Sequence, residues 1–71
     1  MARLRDLRLS RALSQRDLAQ LSGVAQQTVV DLELGRREPR LQTIRRLAQA
    51  LGVEPGHVDE FRRAIEEKAA A

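Results

Sequence analysis

Twelve of the thirteen basic side chains in this 71-residue chain are arginines, and they are grouped along it. Residues 1–13 hold Arg3, Arg5, Arg8 and Arg11 against one acid, Asp6. Residues 35–53 hold Arg36, Arg37, Arg40, Arg45 and Arg46 against Glu38. Residues 14–34 carry Arg16 against Asp17, Asp31 and Glu33, and the last stretch is acidic on balance, leaving a net charge of +3. A guanidinium presents a planar fork of N–H donors that fits a phosphate or a guanine edge. Basic segments flanking a less basic one suit a polyanion, whose neutralised charges release condensed counterions. A solvated arginine-rich surface has the same charge pattern, and a GC-rich genome also favours arginine over lysine.

Other chemistry finds little support. Cysteine is absent and His57 is the only histidine, and no carboxylates gather at ligand spacing around it, so neither a metal nor another cofactor is expected. Serine, histidine and acid nowhere combine into a plausible triad, so the chain is not expected to be an enzyme. Phe61 is the only aromatic residue, which argues against single-strand binding through stacked bases. No apolar run long enough for a signal peptide or a membrane span is present, and a cytoplasmic, nucleoid-associated location is the default expectation.

The elements that must position the polar groups follow from apolar spacing of three and four, with no sustained strand-like alternation. Leu4, Leu7 and the stem of Arg8 predict a first helix over about 3–11. Ser14-Gln15-Arg16-Asp17 reads as a capping box in which aspartate is shorter than the preferred partner. The second helix then carries Leu18, Ala19 and Leu21 inward and stops at Ser22-Gly23. A third runs from about 25 to 34 over Val29 and Leu32 and ends at Gly35. The loop Arg36-Arg37-Glu38-Pro39 follows, with Glu38 held extended by the proline. Leu41, Ile44, Leu47, Ala48 and Leu51 describe a fourth helix, closed by Gly52. Pro55 opens a fifth, with His57 in its first turn and Val58, Phe61 and Ile65 along it. The prediction is one all-α domain over 1–71, its core about 4–65 and its tail 66–71 frayed.

Residues 15–34 are the most specific stretch. Ala19 lies where two helices cross, Gly23 permits the turn between them, and Val24, Val29 and Leu32 anchor the second of the pair. A helix with an anchored back and a polar front is what readout of the major groove demands. Here the chain resembles the Cro/CI-type (XRE-like) helix-turn-helix family of lambda-repressor-like domains. The resemblance is carried by Leu13-Ser14-Gln15, Leu18-Ala19, Ser22-Gly23-Val24 and Thr28-Val29. It continues through Leu32-Glu33-Leu34-Gly35-Arg36-Arg37-Glu38-Pro39 and Leu47-Ala48-Gln49-Ala50-Leu51-Gly52-Val53, covering roughly residues 4–61.

The resemblance implies a compact five-helix domain that regulates transcription by binding double-stranded DNA, as a homodimeric repressor or activator on a pseudo-palindromic operator. It implies that Gln26 and Gln27, at the front of the recognition helix, face base edges, where an amide can pair with adenine N6 and N7. Gln15 is expected to contact phosphate and brace Gln26, and Thr28 to bond phosphate or pack. Val30 and Asp31 point outward; Val30 can meet a thymine methyl, and Asp31 either accepts from cytosine N4 or, the favoured expectation, pairs with a nearby arginine. Arg36 and Arg37 are expected phosphate contacts, and Arg40 can reach a narrow minor groove. Arg8 and Glu33 fall where the family bridges its first helix to the end of the third, as a partly buried ion pair; Arg8 can also contact phosphate.

Three positions depart from the family pattern: Ala12 stands where glycine is usual, and Ala25 and Arg40 replace hydroxyl caps, each typically worth about 1 kcal/mol. Val58, Phe61 and Ile65, with Leu51 or Val53, are a candidate dimer surface or else part of the core. With no sensor domain in these residues, regulation is expected through concentration, a partner protein or competition for DNA. The alternative function is an antitoxin, which binds a toxin partner and represses its own operon.

Overall fold

Helix boundaries in this chain are set by a few capping contacts and one recurring apolar stripe. The computed structural model describes residues 2–70. Among these are α1 (Leu4–Ser10), α2 (Gln15–Ser22), α3 (Gln26–Glu33), α4 (Leu41–Leu51), a 3-10 turn at Pro55–His57, and α5 (Asp59–Ala70). The arrangement is the all-α, five-helix lambda-repressor-like fold. No helix among the described residues is long and apolar enough to cross a membrane.

The α1–α2 turn shows how sequence becomes geometry. Ala12 N–H donates to the Leu9 carbonyl at 2.9 Å and Leu13 N–H to the Arg8 carbonyl at 3.2 Å, the paired bonds of a Schellman motif. That motif requires a left-handed residue, and Ala12 takes it at φ 56°, a conformation that costs an L-residue about 1–2 kcal/mol. Directly after it, Ser14 Oγ accepts the Asp17 N–H at 2.9 Å while Asp17 Oδ2 accepts the Ser14 N–H at 3.0 Å. The short aspartate thus closes the capping box. These bonds, the backbone one first, hold the Asp17 carboxyl below its ordinary value. At the other end of α2, Gly23 at φ 74° turns the chain toward α3. Neither Ala25 nor Arg40 supplies a side-chain cap to the helix it precedes.

Leu4, Leu18, Val29, Leu32, Leu47, Leu51, Val58 and Phe61 form the centre of the core, each almost completely shielded. Ala19 sits between α2 and its neighbours, and Val24, Ile44 and Ala64 complete the cluster. This packing, more than propensity, holds α3, whose adjacent valines are poor helix formers.

Three expectations are corrected. Leu21 is not inward but 63% exposed; at 100° per residue the inward line through Leu18 passes to Ser22, whose hydroxyl donates to the Leu18 carbonyl at 2.7 Å. Helix five does not begin at Pro55. His57 ends the 3-10 turn, and Val58 is extended at φ −99°, ψ 119°. The Val58 segment pairs with Ala2 in an isolated parallel bridge, in which Ala2 N–H donates to the His57 carbonyl and Asp59 N–H to the Ala2 carbonyl. Val58 and Phe61 are 0% exposed, so they belong to the protomer's own core and cannot form a dimer surface; Ile65 packs half-buried beside them. α5 continues through Ala70, and Ala71 lies outside the described residues. Arg62–Glu66 and Arg63–Glu67 pairs at 3.0 and 3.3 Å line this last part of α5, and Lys68 reaches Glu38 at 3.7 Å.

Candidate nucleic-acid interface

The interface is built on α3, and its rear is fixed first. Arg8 of α1 and Glu33 at the end of α3 meet side by side: Nε donates to Oε2 at 2.7 Å and Nη2 to Oε1 at 3.0 Å. Both side chains are nearly sealed from solvent. The third arginine nitrogen, Nη1, donates to the Leu13 carbonyl at 2.8 Å, so one guanidinium clamps the α1–α2 turn and the α3 terminus together. The hydrogen bonds to Glu33, helped by its negative charge and opposed by burial, raise the Arg8 pKa above its ordinary value. Gln15 joins the cluster by donating Nε2 to Glu33 Oε1 at 3.1 Å. This differs from the expectation for Gln15, whose amide is engaged with Glu33 rather than with Gln26.

The front of α3 is open. Gln26 and Gln27 are exposed in its first turn, whereas Val29 and Leu32 on the opposite side are buried. Val30 and Asp31 are half-buried at the flank. Asp31 pairs, but not with an arginine: its Oδ1 accepts Nε2 of Gln27 at 3.0 Å. Thr28 Oγ1 accepts Nη1 of Arg37 at 3.0 Å, which draws the basic loop against the front of the helix. Arg36 and Arg40 are exposed nearby.

A polar cleft of about 520 Å³ separates the start of α3 from the loop and α4. Thr28, Arg37 and Arg40 line it, together with Thr43 and Arg46. The last two were missed in the sequence reading. Their spacing of three residues, beside the buried Ile44–Leu47 stripe of α4, was the available signal. Glu60 was also missed: its Oε1 accepts the Leu4 N–H at 2.9 Å across 56 residues, capping α1 from α5. No local pattern announces such a contact. Exposed amides on a rigidly backed helix, with guanidinium groups on the same side, can meet base edges and phosphates together.

Residues 4–58 match the family model described as helix-turn-helix. The chain belongs to this Cro/CI-type family of DNA-binding transcriptional regulators. It is 40% identical over 58 residues to an uncharacterised HTH-type transcriptional regulator of Methanothermobacter thermautotrophicus, covering 82% of this chain and 81% of that protein. It is 38% identical over 52 residues to the cryptic phage CTXphi transcriptional repressor RstR of Vibrio cholerae, covering 73% of this chain and 47% of the repressor. A further uncharacterised HTH-type regulator, from Sinorhizobium fredii, is 45% identical over 53 residues, covering 75% of this chain and 66% of its own length. The matches therefore span about half of the phage repressor but most of the archaeal protein. Membership makes the chain a helix-turn-helix domain, with DNA binding rather than catalysis as the activity.

Proposed function

We propose that this regulator is a repressor that reads a specific duplex sequence, two copies binding a pseudo-palindromic operator with recognition helices about 34 Å apart. Gln26, Gln27, Val30 and Asp31 face the base edges. Thr28, Arg36, Arg37 and Arg40 set the register on the backbone, and Arg8 with Glu33 and Gln15 holds the helix at its angle. The observation that carries the reading is the sidedness of α3: its glutamines are exposed, and Arg37 is bonded to Thr28 on the same front. A relative that is a phage transcriptional repressor supports repression. Because the ligand is DNA, the protein acts inside the cell.

Selection of bound duplexes from a random pool tests this reading. The selected sequence should bind at least about a thousandfold more tightly than random DNA at physiological salt. Gln26→Ala should weaken the selected complex by about 1–3 kcal/mol while leaving random DNA nearly unaffected. Equal affinity for selected and random duplexes would leave only a nonspecific DNA-coating protein.

A further inference from the structure

We infer that Asp31 is a positioning residue: its carboxylate fixes which way round the Gln27 amide is presented, and thereby which base that amide accepts. The inference rests on the reading that α3 enters the major groove. Gln27 and Asp31 stand one turn apart, and Gln27 Nε2 donates to Asp31 Oδ1 at 3.0 Å. Glutamine and aspartate at this spacing meet naturally on a helix surface. An ionised carboxylate has acceptors and no donors. It therefore holds the amide nitrogen and repels the amide oxygen, leaving the Gln27 carbonyl on the side away from Asp31.

Two further observations separate positioning from direct readout by Asp31. Gln27 is exposed whereas Asp31 is half-buried, so Gln27 is the more accessible of the two residues, although the bond between them is itself open to solvent. Asp31 also makes no ion pair among the described residues. A carboxylate with no cation paired to it on this face opposes affinity for a polyanion, and the role assigned to it here is in selectivity. With one N–H given to Asp31, Gln27 retains one N–H and a carbonyl in fixed order, the complement of adenine N7 and N6–H. A released amide can turn over and offer its N–H groups to guanine O6 and N7, or one of them to thymine O4.

Parallel selections from one random duplex pool test the inference, using the wild type, Gln27→Ala, Asp31→Ala and Asp31→Glu. The base pair that loses its preference in Gln27→Ala marks the position that the amide reads. At that pair Asp31→Ala should lower the preference for adenine about tenfold, admitting guanine and thymine. Asp31→Glu, still acceptor-only, should keep most of the preference, and melting temperatures should stay alike. An unchanged adenine preference in Asp31→Ala overturns the inference alone. So does a loss confined to a different, cytosine-bearing pair, which would make Asp31 the reader. A wild type that enriches no sequence overturns the functional reading and this inference with it. In the DNA-free protein, the Gln27 side-chain N–H resonances should move in Asp31→Ala; resonances that do not move overturn the pairing itself.

Discussion

The two ends of α3 use the same kinds of hydrogen bond for opposite purposes. At its C-terminal end Arg8, Gln15 and Glu33 are bound into one cluster, with the Arg8 and Glu33 side chains only 7% and 4% exposed. At its N-terminal end Gln27 bonds Asp31 and Thr28 bonds Arg37, each through one contact open to water. Water competes for the exposed bonds and makes them cheap to exchange, whereas breaking one partner of the shielded pair strands a charge. The difference teaches that local environment separates a bond that holds the helix from one that yields to an incoming ligand.

The comparison breaks most visibly at the rear. Glu33→Ala leaves the Arg8 guanidinium buried without a carboxylate and should cost about 3–5 kcal/mol in urea or thermal unfolding. That is a large share of a small domain's stability, and DNA binding should fall with it. Replacing both charges, as in Arg8→Met with Glu33→Leu, should recover most of the loss. A single Glu33→Ala variant that melts within about 0.5 kcal/mol of the wild type would mean that the shielded cluster does not anchor α3.

At the front the expected effect moves from stability to binding. Arg37→Ala should leave unfolding nearly unchanged, because the Thr28 contact is exposed. It should weaken selected and random duplexes alike and reduce the slope of log affinity against log salt by about 0.9, the signature of one lost phosphate contact. An unaltered slope would remove Arg37 from the backbone contacts and leave its bond to Thr28 a local one.

Two smaller effects sharpen the account of the turn that the rear cluster grips. Ala12→Gly should stabilise the domain by about 0.5–1 kcal/mol, relief of the left-handed strain less the extra freedom glycine gives the unfolded chain; the melting temperature reads it. Acid reads the capping box. Because the folded-state pKa of Asp17 lies below its ordinary 3.8, the box stabilises above that value and loses its contribution as pH falls through the lower, folded-state value. Ser14→Ala removes both the hydroxyl bond and its share of the shift, so its melting temperature should fall less steeply on acidification than that of the wild type.

Much of the scaffold was legible because it rests on short-range rules. The Val29–Leu32 stripe of α3 and the Ile44–Leu47–Leu51 stripe of α4 are helical periodicity, and the Ser14 box and the stop at Gly23 are chemistry between residues at most a few positions apart. Leu21 was misread because Leu18 and Leu21 alone do not define an inward line; Ser22, polar yet able to bond its own backbone, occupies it. Val58 was misread because pairing with Ala2 lies beyond any local window. The partner of Asp31 followed the same logic in reverse: a glutamine four residues away was nearer than any arginine along the helix.

Periodicity, caps and glycine positions, all functions of neighbours within about one or two helical turns, settled the number of helices, their order and the face of α3 left polar. Tertiary contact decided which polar groups are spent inside the protein. The Arg8–Glu33–Gln15 cluster, the capping of Leu4 by Glu60, the Ala2–Val58 bridge and the Arg46-lined cleft all join residues far apart in the chain. The physical reason is that desolvation and charge depend on distance in space, and only folding brings those residues within reach.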